Sequence, residues 1–256
     1  MCTLLILYRP KNKWPLIIAG NRDEMKDRPW LPPGKHWGKC DGIIAGKDLT
    51  AGGSWLGINT NGLVATILNR TNSLGPDIEK NSRGKIIIDI LKNKTLDEAL
   101  NYIKLLDITK WKPFNLFLAN NKKAYWVKSS DKVTLSINII PEGKHFLDSH
   151  DINSTQSERY LYNNNRFKVL NDPNPDSLEW KEWKEWINLL AEKSYPKGKP
   201  LAAMNITNKY KKNYGTLSSA IIALPSDQEL NNNTKPLFLF SDISPDNNKF
   251  YNINTC

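Results

Sequence analysis

Two apolar runs of strand length open the chain: CTLLILY from Cys2 and PLIIAGN from Pro15. The segment between them, Arg9 to Trp14, carries Pro10, Lys11, Asn12 and Lys13. Apolar run, polar turn, apolar run predicts a β-hairpin with a multi-residue loop. A hairpin must bury its apolar faces against other layers. If the loop centres on Asn12, paired positions add up to about 24, and Cys2 lies opposite Arg22. A slip of one would bring Asp23 there instead. Either way the cluster Asn21-Arg22-Asp23-Glu24 arrives beside the start of the chain.

The rest of the chain continues in short runs. None approaches the roughly 18 to 20 apolar residues of a membrane span. The start lacks the basic segment and cleavage site of a signal peptide, so a cytoplasmic protein is expected. The Pro- and Trp-rich RPWLPPGKHWGKCDG from Arg28 reads as an irregular loop. IIAGKD reads as a strand, and GGSWLGIN with GLVATILN as a second hairpin turning through Asn61-Gly62, a pair suited to positive φ. SRGKIIIDILKN starts a helix. TLDEALNYIKLL is a clearer one, with Thr95 and Glu98 forming a capping box. FNLFLANN, AYWVKS and VTLSINI read as strands. A helix is expected over Gln156 to Leu170. Another is expected in LEWKEWKEWINLLAEK, capped by Ser177, with Trp180, Trp183, Ile187 and Leu190 on its apolar side. TLSSAIIALP and PLFLFSD return to strands, with Ser226 to Lys235 as a surface loop between them. No repeat or linker divides residues 1–256, so we expect one α+β domain whose sheets are sandwiched by helices.

The formal charge is +10. The basic residues are dispersed, however, and their denser spots, NKKAYWVK from Asn121 and NKYKKNYG from Asn208, match no nucleic-acid motif. We read the charge as compositional style that can still attract a small anion. The three cysteines, Cys2, Cys40 and Cys256, are too few and too scattered for a disulfide framework or a zinc site. Asp148, His150 and Asp151 fit no established metal spacing. No metal and no required cofactor is expected.

A cysteine directly behind the initiator methionine has a chemical meaning. Methionine aminopeptidase generally removes Met1 when the next side chain is small. Cys2 would then carry a free α-amine beside its own thiol. The amine, with a pKa of roughly 7.7 to 8.0, can take the thiol proton and later return it to a leaving group. Arg22 would favour the thiolate, Asp23 would hold the amine, and Gly20 would leave room for a substrate to approach.

These residues resemble a known family, the NRDE proteins, also called the transport and Golgi organisation family. The resemblance runs through Met1-Cys2, Asn21-Arg22-Asp23-Glu24, Arg28-Pro29 and Trp37. It continues through Ile43 to Arg70, then Ser82-Arg83-Gly84, Phe114-Asn115-Leu116, Tyr214-Gly215-Thr216 and Ser218-Ser219. It implies an N-terminal-nucleophile (Ntn) hydrolase fold, a four-layer αββα sandwich, with Cys2 in the nucleophile position. It also implies serving roles for Arg22 and Asp23, whose spacing differs from that in bile-salt hydrolases and penicillin V acylases. Asn69 is then the candidate oxyanion donor.

Around that core, Asn21, Glu24, Gly53, Trp55 and Arg70 are candidate substrate-binding residues. Glu24 is placed to orient Arg22, and Trp55 to form an apolar wall. Asn153 and Arg159 are carried over as later polar residues reaching the cleft. Two functions follow. One is a cysteine-dependent hydrolase of a linear amide or thioester. The other is a non-catalytic carrier of haem or an acyl-CoA-like lipid, which would use Arg22, Arg70 and apolar walls. The expected partner in both is a small acyl, amide or haem-like molecule.

Overall fold

The structure is a computed structural model describing residues 2–38, 42–73, 75, 77–130, 134–207 and 212–255. Met1, Cys40, Cys256 and the start of the basic segment at 208 lie outside the described residues. The opening hairpin is β1 (Thr3–Tyr8) and β2 (Leu16–Met25). Its register runs from Thr3 opposite Asn21 to Tyr8 opposite Leu16, so paired positions add up to 24 throughout. The Asn-Arg-Asp-Glu cluster is inside β2 and not beyond it.

The chain continues through β3 (Trp30–Gly34), β4 (Ile43–Asp48), β5 (Leu56–Asn59) and β6 (Val64–Asn69) to the helices α1 (Gly84–Leu91) and α2 (Leu96–Lys104). Strands β7 (Phe114–Ala119), β8 (Ala124–Ser129), β9 (Leu135–Ile139) and β10 (Gly143–Leu147) follow. Then come α3 (Glu158–Val169), α4 (Trp180–Leu190), β11 (Tyr214–Leu224), the short α5 (Asp227–Asn231), β12 (Leu237–Ser241) and β13 (Tyr251–Asn252). The strands form two antiparallel sheets. One is ordered β10-β1-β2-β11-β12-β13, the other β3-β4-β5-β6-β7-β8-β9.

Strand alternation then sorts the side chains into layers. Leu4, Ile6, Leu16 and Ile18 meet Leu56, Val64, Leu68 and Phe117 between the sheets. Leu5, Leu7, Ile17 and Ala19 face outward onto Phe167 of α3 and Trp183 and Trp186 of α4. Ile43, Ala65 and Leu116 face the other way, onto Ile86, Ile87 and Ile90 of α1 and Leu96, Ala99 and Ile103 of α2. The result is helix, sheet, sheet, helix. Each fully buried aliphatic side chain in these layers contributes about 1.5–3 kcal/mol.

Several local expectations are corrected. The stretch read as a loop from Arg28 contains β3, an edge strand of the second sheet with a register irregularity between Leu31 and Gly34. An edge tolerates Pro32 and Pro33 because a missing N–H there breaks no ladder. Strand β10 lies outside every strand expected from the sequence. Helix α4 begins after Glu179 without a side-chain cap. Ser177 instead uses its carbonyl to accept from the Trp183 indole. Trp180 is 39% exposed, whereas Trp186 is fully buried. The loop from Ser226 contains α5, capped by Ser226. The Thr95–Glu98 capping box is present. In the second hairpin the positive φ falls on Gly62.

Candidate functional site

The site lies at the end of the first sheet where β1, β2 and β11 run side by side. One step past Thr3, the hairpin register sets Cys2 across from Arg22. Both share the parity of Leu4 and Gly20, so both face the gap between the sheets, and Cys2 packs against that inter-sheet core. Below them Gly20 contributes no side chain and Ala220 only a methyl. A small cavity results, lined by Cys2, Arg22, Trp55, Thr66, Leu68 and Ser218 among others. About 20 Å³ of it is open to a water-sized sphere, enough for about one water molecule. Gly20 has no freedom to grow, since a Cβ there would stand 2.6 Å from the Thr3 carbonyl oxygen.

Arg22 is a buried cation, 5% exposed. Its guanidinium sits 4.2 Å from the Trp55 ring centre and 5.5 Å from that of Trp30. The two indoles pack edge to face at 5.7 Å. A desolvated cation–π contact is worth up to about 2 kcal/mol, so these rings hold the guanidinium in place without neutralising it. Its Nη1 is buried with no hydrogen-bond partner among the described residues. Burial pushes the Arg22 pKa down, with Cys2 and Glu24 acting in the opposite direction.

Burial pushes the Cys2 thiol up, and the opposing pull of Arg22 and of the Asp23 backbone does not overcome it. The thiol is therefore neutral at rest. Arg22 pulls in the direction expected of it, but ionising the thiol still takes a base.

Asp23 has the opposite parity and points beneath the sheet, toward α3. Its Oδ1 accepts from Thr216 Oγ1 at 2.6 Å and its Oδ2 from Arg159 Nη1 at 3.1 Å. Arg159, 1% exposed, also donates to Thr3 Oγ1 and to the Leu201 carbonyl. Asp23 is thus fixed by an ion pair and a hydroxyl one residue away from Cys2. Asn21 shares that face. It donates to the carbonyls of Leu190 and Met204 at 2.9 Å each and accepts from Ser219 Oγ. Its work is to pin β2 to the end of α4.

The other expected site residues are placed elsewhere. Glu24 accepts from the Met25 N–H and lies 4.0 Å from Arg28. Gly53 lies against α1, where a Cβ would stand 2.3 Å from the Gly84 carbonyl carbon. Asn69 ends β6 opposite Phe114 and is not among the residues lining the cavity. Arg70 donates to Asn115 and Asp151 and lines a separate surface groove with Lys128 and Ser130. Asn153 accepts from the Phe146 N–H and contacts the His145 ring.

Four neighbours of the site were not assigned a role from the sequence: Trp30, Thr216, Ser218 and Arg83. The Arg83 guanidinium donates to Ser73 Oγ and the Pro113 carbonyl. Burial drives its pKa down to about 10, with the Cys2 charge opposing. Neither Arg22 nor Arg83 has a carboxylate ion-pair partner among the described residues. The Ser82-Arg83-Gly84 and Ser218-Ser219 motifs are visible in the sequence, but only tertiary packing sets Ser218 in the cavity wall with Cys2. Among the described residues no three His, Cys, Asp or Glu side chains gather to hold a metal. No helix among them is long and apolar enough to cross a membrane.

A family model described as Transport and Golgi organisation 2 matches residues 1–233. Curated homologues of that protein from Bos taurus and Homo sapiens are 32% and 33% identical over 131 residues. Each match covers 47% of this chain and 45% of the relative, so the chain spans less than half the length of the curated relatives it matches. Among solved structures, the chain resembles a Caenorhabditis elegans N-acylethanolamine-hydrolyzing acid amidase ortholog (TM-score 0.57, 14% identity, 86% of this chain and 92% of that one). It also resembles penicillin V acylase from Agrobacterium tumefaciens (0.53, 17%, 94% and 83%) and a conjugated bile acid hydrolase from Clostridium perfringens (0.54, 13%, 99% and 92%). These likenesses show the fold, that of the Ntn hydrolases.

Proposed function

The chain belongs to the Transport and Golgi organisation 2 family, and from that premise we propose that it is a cysteine-dependent hydrolase of a linear amide or thioester. One observation carries the reading: Cys2 stands in register with an unneutralised, cation–π-clamped Arg22 at the mouth of a small cavity. In the proposed reaction, removal of Met1 frees the α-amine of Cys2. That amine takes the thiol proton, which the burial of the thiol makes necessary. Arg22 stabilises the thiolate, and Asp23, held by Arg159 and Thr216, orients the amine. The sulfur attacks the carbonyl carbon, the leaving group departs with the proton, and water releases the acid. Asn69 belongs to this proposal only if substrate binding turns its amide toward the cavity. Glu24, Arg70, Gly53 and Asn21 support the surrounding frame, and Trp55 forms the wall.

A second reading is supported by Arg22, which lines the Cys2 cavity, and by Arg83, which feels the Cys2 charge; neither has a carboxylate ion-pair partner among the described residues. They fit an anionic, largely apolar ligand, haem or an acyl-CoA-like lipid, bound without turnover. A screen of amides and acyl thioesters against protein lacking Met1 separates the two. Turnover abolished by Cys2→Ala supports the hydrolase. No turnover, with a haem Soret shift or acyl-CoA binding retained in Cys2→Ala, supports the carrier.

A further inference from the structure

Besides Arg22 Nη1, one more polar atom lining the Cys2 cavity is buried without a partner among the described residues. It is the hydroxyl of Ser218, in a residue 1% exposed. Ser218 sits directly across from Arg22 on β11, and Cys2 flanks Arg22 on the other side. Cys2, Arg22 and Ser218 therefore form a row across three adjacent strands, all on the inter-sheet face, above the gap left by Gly20 and Ala220.

The placement depends on an irregularity. The β2–β11 register shifts between Thr216, opposite Asp23, and Ser218, opposite Arg22. In an unbroken strand Leu217 would oppose Arg22, and residues 216 and 218 would share a face. The bulge lets Thr216 serve Asp23 beneath the sheet while Ser218 turns to the cavity above it. Bulges beside functional sites commonly re-aim a side chain in this way. Burying a hydroxyl without a partner costs stability, so its place in the cavity wall calls for a reason.

We propose that Ser218 is a catalytic residue whose hydroxyl, together with Arg22 Nη1, receives the carbonyl oxygen of the substrate; this rests on the nucleophile reading above. As the sulfur–carbon bond forms, the carbonyl π pair moves onto oxygen. The oxyanion accepts from Ser218 Oγ–H and Arg22 Nη1–H. When the pair returns, the bond to the leaving group breaks, and that group carries off the proton given up by the thiol. The roughly one-water volume of the cavity suits an oxygen atom better than an acyl chain, which must then extend outward along Trp55.

The test compares wild type with Ser218→Ala, both lacking Met1. Acylation of Cys2 by p-nitrophenyl esters from acetyl to dodecanoyl is followed by intact mass, and thermal midpoints are measured in parallel. Acylation in the variant is expected to slow by about 100-fold at saturating ester, as for loss of one oxyanion donor. The ester concentration at half-saturation stays near wild type, and the midpoint is unchanged or higher because the hydroxyl has no partner to lose. Wild-type acylation rates in Ser218→Ala would overturn the assignment and leave the nucleophile reading standing. A midpoint several degrees lower would mean that the hydroxyl holds the fold, and would overturn it too. Wild type that no ester acylates would overturn the nucleophile reading and this assignment with it.

Discussion

At the residue scale a thiol and a guanidinium share one face of the first sheet, turned to the gap between the sheets. Burial raises the Cys2 pKa, and Arg22 works against that rise. Iodoacetamide should therefore alkylate Cys2 slowly at neutral pH, with a rate that climbs past the ordinary thiol value of about 8.5. In Arg22→Gln the midpoint of that climb should move higher still, because a cation that favours the thiolate has gone. A midpoint below the ordinary value, or one indifferent to Arg22→Gln, would contradict this placement. That Cys2 lies beside the Arg22-Asp23 pair was legible from the length of the hairpin loop, but a slip of one was open, and only the pairing of β1 with β2 sets Arg22 across from Cys2. The separation of Arg22 from Asp23 onto opposite faces follows from strand alternation once the cluster is known to lie within β2. The partners of Asp23, Arg159 and Thr216, come from positions 136 and 193 residues away, and nothing local announces them.

At the element scale, β10 and α3 are joined by a polar hinge. Asp148 is 3% exposed. It accepts from the His150 N–H at 2.8 Å, meets the His150 ring at 3.2 Å, and accepts from the Ser157 hydroxyl that caps α3. Its hydrogen bond to Asp148 raises the His150 pKa, with burial and Arg70 opposing. Burial works to raise Asp148, but the hydrogen bonds from His150 and Ser157 leave it below its usual range. A histidine whose folded pKa is raised stabilises fully below its unfolded value of about 6.5 and loses that contribution as pH climbs through the raised one. The carboxylate's contribution is present above its own unfolded value, about 3.9, and is lost toward acid. The midpoint difference between wild type and His150→Asn should therefore be largest near pH 5 to 6 and shrink toward pH 9. A difference that grows with pH would contradict the ion pair. The elements themselves were largely readable where period and caps agree, as in the Thr95 capping box. Reading failed where an element depends on its position in the sheet. Strand β3 is recognisable only because an edge tolerates prolines. Strand β10 is held by pairing with β1, not by a strong pattern of its own.

At the scale of the whole molecule, two sheets bury one shared core and each presents a second apolar face to its own helical layer. That arrangement follows from apolar residues at both parities of β1, β2, β4 and β6, which a sheet facing solvent on one side would not carry. At the end holding Cys2 a glycine and an alanine leave space between the sheets. The family match and the Ntn-hydrolase likenesses agree with this architecture, while the proposed reaction rests on the row of residues at that opening. Intact mass spectrometry of the purified chain, quenched during incubation with an acyl thioester, reads out the Cys2 acyl-enzyme itself. The account predicts a chain lacking Met1 that gains one acyl group in wild type and none in Cys2→Ala. A chain that keeps Met1, or an acyl group carried equally by both proteins, would contradict it.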